Sequence, residues 1–261
     1  MTSPPSVDPA HSQDAYRFRF DWGREGAAAV VPGCDVAVVV DVLSFTTTLT
    51  VAIDAGAAVY PYPWDPEAAA DHAARLDATL AVGRSKAGPG QPSLSPASIR
   101  AAGTLERLVL PSPNGSALSF ALAEAGVAVV GACLRNASAV ARWIVARAGG
   151  PVAVIAAGER WPDGTLRPAA EDLWGAGAVL GALAAADPAG ASPEALTAAA
   201  AFAAVAPSIG GRLRDCASGR ELVAKGFAGD VEVSAELDTT TTVPLLRGLA
   251  FEDAPTRGED R

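Results

Sequence analysis

The stretch "VAVVVDVLSFTTTLTVAIDAG", Val36 to Gly56, decides the fold of this 261-residue chain. Its first five residues are valine and alanine, a run that is typical of a strand buried on both faces of a parallel sheet. One acid, Asp41, ends the run, and a cluster of threonines at 46–48 leads into an apolar segment that predicts a helix over 47–54. The stretch therefore predicts a strand, a turn that carries a carboxylate, and a helix.

The same alternation continues along the chain and predicts an α/β protein. The pattern favours three α/β/α layers around a mostly parallel sheet. Strands are expected at 17–22 (half-exposed), 36–40, 58–62, 80–82, 108–110, 127–130 and 152–156, and helices at 47–54, 66–76, 116–124, 137–148, 172–186, 193–204 and 219–224.

The chain is long enough for one large domain or two small ones. We expect a disordered tail over 1–14, a single α/β unit over 15–250 and a second tail over 251–261. A division of the unit into lobes 15–149 and 150–250 is the alternative. A segment over 83–96 rich in Gly, Pro and Ser is expected to be a long loop.

The composition restricts the partners and the compartment. A net charge of −9 argues against a nucleic-acid partner, and it allows a small anionic ligand held by a few arginines. No uninterrupted apolar run is long enough to span a membrane, and no signal peptide opens the chain. Three widely spaced cysteines indicate free thiols in a reducing cytoplasm. A homodimer is compatible with the sequence.

Polar residues follow several predicted strands, where ligands bind in open α/β sheets. The only two asparagines of the chain, Asn114 and Asn136, both lie at such junctions. Capping of the following helix explains each asparagine alone. The two together fit a ring of helix N-termini that faces an anion.

Three acids are candidates for metal binding or acid–base chemistry. Asp41 ends an apolar strand, where an unpaired carboxylate is costly to bury, and Glu171 and Asp172 open a predicted helix. Helix capping or the helix dipole explains each of them separately. Convergence of two or three of them would bind a hard, oxygen-preferring cation such as Mg²⁺.

Two motifs point elsewhere and are rejected. "GAGAVLG", Gly175 to Gly181, resembles a dinucleotide fingerprint, but it does not follow a strand, and close packing of a helix explains it better. "DVLSFT" resembles the start of an aspartyl-nucleophile phosphatase, which needs a second acid where this chain has Leu43.

The ordered set of junctions resembles the 2-phosphosulpholactate phosphatase family from about residue 17 to residue 248. The motifs that carry the resemblance are Asp41 with Thr46–Thr48, Asn114-Gly115, Asn136-Ala137-Ser138, Ala157-Gly158-Glu159, Glu171-Asp172 with Ala176-Gly177, Ser218-Gly219-Arg220-Glu221-Leu222 and Val243-Pro244. The chain departs from the family pattern at Ser44, where an arginine is usual, and in the shortened motifs at 82–84 and 93–96.

The resemblance implies Mg²⁺-dependent hydrolysis of a small anionic phosphate monoester, the namesake being an intermediate on a route to coenzyme M. Asp41, with Glu171 or Asp172, is expected to hold Mg²⁺ and to take part in catalysis. The residues expected to contact the substrate are Thr46, Thr47, Arg84, Asn114, Gly115, Asn136, Glu159, Arg160 and Arg220. The departures at Ser44 and in the 83–96 loop favour an alternative, a non-catalytic anion-binding protein on the same scaffold.

Overall fold

The computed structural model of the protein describes residues 8–255, and within them one sheet dominates. The strands are β1 (Phe18–Trp22), β2 (Val36–Val40), β3 (Ala58–Tyr62), β4 (Thr79–Leu80), β5 (Arg107–Pro111), β6 (Ala128–Ala132), β7 (Val152–Ala156), β8 (Glu159–Arg160), β9 (Leu166–Arg167), β10 (Pro244–Arg247) and β11 (Ala250–Asp253). The helices are α1 (Gly23–Val30), α2 (Phe45–Asp54), α3 (Pro66–Leu76), α4 (Pro96–Ala101), α5 (Gly115–Glu124), α6 (Ala137–Arg147), α7 (Ala170–Ala186), α8 (Pro193–Val205), α9 (Ile209–Asp215), α10 (Ala217–Ala224) and α11 (Ala228–Ser234).

Over the described residues the main sheet has nine strands in the order β1-β7-β2-β6-β10-β11-β3-β5-β4. The first four strands are mutually parallel, and so are the last three. The hairpin β10–β11 joins the two groups and is antiparallel to the strand on either side of it. The mostly parallel sheet predicted from the sequence is confirmed, whereas the hairpin was not predicted.

Helices cover both faces of the sheet, which confirms the three-layer α/β/α fold. Along β2 the side chains alternate between the two faces, and all five residues are buried. Val38 and Val40 belong to the hydrophobic core that includes Leu180 of α7. Val39 belongs to the opposite core, which includes Leu49 of α2. The apolar run of the opening stretch is therefore a central strand.

Several predicted boundaries are wrong because tertiary pairing decides them. Strand β11 takes up residues 250–253, so the C-terminal tail cannot begin at 251. Strand β7 lies between β1 and β2, so a break near residue 150 does not separate two lobes. The first three residues of β1 are buried, so this strand is not half-exposed.

The ends of the described range bear on the predicted tails. The Gln13 side chain donates to the carbonyl of Phe20 at 2.9 Å and accepts from its N–H at 3.1 Å, so the chain is held against β1 before residue 14. Residues 1–7 and 256–261 of the predicted tails lie outside the described residues. The segment at 83–96 is mainly loop, but a 3-10 turn spans Arg84–Lys86 and Pro96 begins α4.

The glycine-rich motif at 175–181 lies inside α7, as predicted. A Cβ atom placed on Gly177 would lie 2.1 Å from the carbonyl oxygen of Ala198 in α8. The glycines therefore let two helices approach closely, and a dinucleotide loop is excluded here.

The run Pro193–Asp215, which holds α8 and α9, is long and apolar enough to span a membrane by length and composition only, which is weak support for a span.

Candidate active site

The Asp41 carboxylate lies at the start of two helices. It follows β2 directly, and its side chain is buried. Its Oδ1 atom accepts from the N–H of Phe45, the first residue of α2, at 3.1 Å. Its Oδ2 atom accepts from the N–H of Gly115, the first residue of α5, at 2.8 Å. The Asp41 carboxylate therefore accepts from the N–H groups at the start of α2 and α5, where the sequence predicted an external anion.

The threonine cluster faces inward. The hydroxyl of Thr46 donates to the carbonyl of Asp41 at 2.7 Å, and that of Thr47 donates to the carbonyl of Val42 at 2.8 Å. The hydroxyl of Thr48 donates to the carbonyl of Leu94 at 3.3 Å. All three side chains are fully buried. The prediction that Thr46 and Thr47 contact substrate is wrong, because these hydroxyls stabilise the turn between β2 and α2.

Residue 115 must be small because Asp41 and α2 come close to it. A Cβ atom on Gly115 would lie 2.6 Å from the ring of Phe45 and 2.7 Å from Oδ2 of Asp41. Gly115 therefore contributes its N–H to Asp41. The neighbouring Asn114 is placed differently, since its Nδ2 atom donates to Oε2 of Glu159 at 2.9 Å.

Glu171 and Asp172 are adjacent on α7, but their carboxylates have different surroundings. Asp172 accepts from the N–H of Val42 at 2.7 Å and from the N–H of Gly158 at 2.9 Å, so it links the turn after β2 to the turn after β7. The Oε2 atom of Glu171 is buried and has no hydrogen-bond partner. It is the one carboxylate oxygen in this condition within residues 8–255.

The raised pKa values of Asp41, Asp172 and Glu159 indicate that these acids share one desolvated region with the Glu171 carboxylate. Burial raises the pKa of Asp41, and the charge of the Glu171 carboxylate raises it further. The hydrogen bonds from the two N–H groups and the charge of Arg84 lower this pKa. Burial, followed by the charges of Asp41 and Glu171, raises the pKa of Asp172 well above its usual range. Burial and the charge of Asp41 raise the pKa of Glu159 to about 7. The region therefore has an excess of negative charge that only protons or a cation can neutralise.

The acids are suitable ligands for a divalent cation, but fewer than three of them are arranged to bind one ion. Carboxylate oxygens suit Mg²⁺, and an orphaned buried oxygen on Glu171 is a candidate ligand. No group of three acid, histidine or cysteine side chains among the described residues is arranged to hold a metal. Asp41, Glu171 and Asp172 therefore do not form a closed three-residue metal site, and a role of Asp41 with Glu171 or Asp172 in holding Mg²⁺ stays a prediction. Mg²⁺ usually binds through one or two carboxylates together with waters and phosphate oxygens. These residues can provide the carboxylates.

Arg84 brings positive charge to this region. One guanidinium nitrogen donates to the hydroxyl of Ser44, and Nε donates to Oδ2 of the buried Asp230 at 2.7 Å. Arg84 also lowers the pKa of Asp41 against the effect of burial. The structure therefore places Arg84 close enough to act on the acid that ends β2, and its contact with substrate stays a prediction.

Arg167 is a second cation of the region that the sequence analysis missed. Its backbone lies opposite Glu159 in the β8–β9 hairpin, its charge lowers the pKa of Glu159 against the effect of burial, and it donates to the hydroxyl of Ser218 at 3.1 Å. Its guanidinium also lies over the ring of Trp161, 5.8 Å from the centroid. The only signal in the sequence was its position in the turn-rich segment after β7, which also contains Arg160.

Three other residues that were predicted to contact substrate are hydrogen-bonded to backbone groups. Asn136 is fully buried, accepts from the N–H of Cys133 at 2.9 Å and donates to two carbonyls, so it is structural and not a substrate contact. Arg220 is exposed, and its guanidinium donates to the carbonyl of Asp215 at 2.8 Å, so nothing brings it to the acids. Arg160 donates to the carbonyl of Gly164 at 2.9 Å.

An open cleft of about 550 Å³ leads to Glu159. Its walls come from the start of α1, the start of α5 and the β8–β9 hairpin, and they include Arg24, Asn114 and Arg160. Glu159 and Asn114 therefore join the buried acids to solvent. A small ligand in the cleft would reach Glu159 first.

The comparison with known families agrees with the motifs. The family model for 2-phosphosulpholactate phosphatase matches residues 28–248 of the chain. No protein among those with curated functions gives a significant match. The matched span contains Asp41, Arg84, Glu159, Arg167, Glu171 and Asp172, whereas Arg24 of the cleft lies before it.

Proposed function

Because this chain belongs to the 2-phosphosulpholactate phosphatase family, a family of phosphatases, we propose that it hydrolyses a small anionic phosphate monoester with the help of Mg²⁺. The observation that carries the proposal is the orphaned Oε2 atom of Glu171, buried in a region that it shares with Asp41 and Glu159. An unpaired buried carboxylate oxygen is costly unless a cation binds to it.

Glu171 and Asp41 would hold the Mg²⁺ ion. Glu171 is the better ligand because Oε2 has no other partner, whereas both oxygens of Asp41 already accept an N–H. Asp172 shapes the site by holding the turns after β2 and β7. When bound, the ion would neutralise charge on the phosphoryl oxygens and orient the attacking water.

The arginines would bind the phosphoryl group. Arg84 and Arg167 approach the acids from different segments, and a guanidinium keeps its charge and has several N–H donors for phosphate oxygens. This role goes to the arginines because the hydroxyls of Thr46 and Thr47 and the amide of Asn136 make their hydrogen bonds inside the fold.

Glu159 would be the general acid. It lines the open cleft and accepts a hydrogen bond from Asn114, and its pKa of about 7 leaves it partly protonated at neutral pH. As the oxygen of water bonds to phosphorus, the bond from phosphorus to the ester oxygen breaks. Glu159 would then give its proton to the departing oxygen, so the products are an alcohol and inorganic phosphate.

We propose 2-phosphosulpholactate, or an ester of similar charge, as substrate. Arg24 and Arg160 line the cleft and could meet its sulfonate or carboxylate. A cytoplasmic place in coenzyme M biosynthesis, action without nucleic acid or membrane, and a homodimeric state belong to the same proposal.

A second candidate function is anion binding without catalysis. It is favoured by Ser44, which stands where the family usually has an arginine, and by the lack of a three-residue metal set among the described residues. In that case the protein would bind phosphate esters and release no phosphate from them.

The test is phosphate release from a panel of small esters that includes 2-phosphosulpholactate, with Mg²⁺ and with chelator. We expect Mg²⁺-dependent release that Glu171→Gln abolishes, whereas Glu194→Gln, at an exposed acid in the first turn of α8, leaves it unchanged. Binding of esters without release of phosphate from any of them would favour the second function.

A further inference from the structure

Asp230, on α11, is a buried acid that the proposed reaction does not use. It is 1% exposed, and it lies 146 positions from its partner Arg84. Its Oδ2 atom accepts from Nε of Arg84 at 2.7 Å, and its Oδ1 atom accepts from the hydroxyl of Ser95. Both oxygens of a buried carboxylate are therefore engaged, one of them by a side chain of the candidate site.

The contacts of Arg84 fix the direction of its guanidinium. Nε is held by Asp230, and one terminal nitrogen is held by the hydroxyl of Ser44. The guanidinium lies 5.9 Å from the ring centroid of Phe227, and the side chain is 16% exposed. Within the described residues the other terminal nitrogen, Nη1, makes no hydrogen bond, and it is left to bind an anion.

This arrangement is held firmly because, within residues 8–255, Arg84 is the one cation paired with Asp230. Removal of Arg84 from Asp230 would leave a buried carboxylate unpaired, which proteins avoid. A cation that is fixed before the ligand arrives binds it without further ordering.

We propose that Asp230 is a positioning residue that holds Arg84 as the phosphate-binding cation of the site. The proposal rests on the proposed function. It goes beyond that function by assigning a role to a residue on α11, which packs on α4 and contributes no group to the acids. A merely structural role for Asp230, in which it joins α11 to the loop before α4, is the competing explanation.

The test measures binding of inorganic phosphate by calorimetry in the presence of Mg²⁺, together with KM and kcat for an ester that the protein hydrolyses. We expect Asp230→Asn to weaken phosphate binding and raise KM about tenfold or more, with a smaller change in kcat. Arg84→Gln should do the same, and the double variant should be no worse than either single variant. Glu232→Gln is the matched control, since it changes an exposed acid on the same helix.

Arg84→Lys is a second variant that does not threaten the fold, because lysine keeps the charge beside Asp230. We expect it to weaken phosphate binding about tenfold with little change in Tm, because the single nitrogen of lysine cannot contact Asp230, Ser44 and phosphate in the fixed geometry of a guanidinium. Unchanged phosphate affinity in Arg84→Lys, or a fall in Tm alone in Asp230→Asn, would overturn the proposal. Wild-type protein that binds phosphate but hydrolyses no ester would refute the phosphatase function, and phosphate affinity would still test Asp230.

Discussion

The Oδ2 atom of Asp41 accepts a hydrogen bond from the N–H of Gly115 at 2.8 Å, across 74 positions of the chain. The other oxygen of the same carboxylate accepts from Phe45 at the start of α2. One buried acid thereby joins the N-termini of two helices, and negative charge is stabilised at such termini. The site is thus organised around an internal anion as well as the anion that it is proposed to bind.

Gly115→Ala is expected to separate these groups. Its Cβ atom would lie 2.7 Å from Oδ2 of Asp41, so the start of α5 must shift. We expect a loss of about 1–3 kcal/mol in the free energy of unfolding, measured by urea denaturation, together with loss of activity. Gly211→Ala, in α9 with nothing within 4 Å of the added carbon, is the control and should not lower stability. Equal stability of the two variants would contradict the contact.

The two asparagines of the chain are expected to behave differently when each is replaced by alanine. Asn136 satisfies the buried N–H of Cys133 and two carbonyls, so Asn136→Ala should cost about 3 kcal/mol of stability and leave the KM of the folded protein unchanged. Asn114 donates to Glu159 from the wall of the cleft, so Asn114→Ala should mainly lower kcat. Thermal unfolding and steady-state kinetics measure both effects, and a reversal of the two patterns would refute these roles.

Glu171→Gln is expected to abolish phosphate release without lowering the free energy of unfolding. The change removes one negative charge from a region where burial and the other acids already raise the pKa of Asp172 and Glu159. Without metal the variant should be at least as stable as the wild type, by up to about 2 kcal/mol. A clear loss of stability in chelator would show that Glu171 is a structural residue instead.

Addition of Mg²⁺ should stabilise the wild type. An ion that binds only the folded state adds about 2.7 kcal/mol when its concentration is 100 times Kd. Thermal unfolding with Mg²⁺ and with chelator measures this shift, which Glu171→Gln should reduce or abolish. A wild-type Tm that does not respond to Mg²⁺ would count against a bound ion.

Stability should fall as the pH rises through the titration of Glu159. The pKa of this group is about 7 in the folded protein and 4.5 as its ordinary value, so the folded state binds the proton more tightly. The contribution to stability is therefore complete below pH 4.5 and is lost as the pH rises to about 7. The difference corresponds to about 3 kcal/mol.

Glu159→Gln removes this dependence and keeps the acceptor for Asn114. Relative to the wild type, the variant should gain about 3 kcal/mol between pH 4.5 and pH 8. Mg²⁺ should lower the midpoint of the wild-type titration, because a cation favours the ionised carboxylate. Urea denaturation across this pH range measures both, and a parallel pH dependence of the two proteins would refute the raised pKa.

Local pattern was enough to predict the layers of the fold and the strand ends beside which the candidate site lies. The apolar run of β2 and the alternation of strands with helices depend on residues close together in the chain. For the same reason Asp41, Asn114 and Glu159 could be assigned to strand ends, where ligands bind. The hairpin β10–β11 could not be predicted, because its place in the sheet depends on pairing with β6 and β3.

Only the tertiary structure decided which polar atoms are free to act. Thr46, Thr47 and Asn136 look like ligands in the sequence, but their hydrogen bonds are made inside the fold. Asp41 and Asp172 are satisfied by N–H groups, whereas one oxygen of Glu171 is not. The physical reason is that a side chain's hydrogen bonds and burial depend on distant segments brought against it. The residue type and its place after a strand belong to the sequence, and the remaining unpaired atoms belong to the fold.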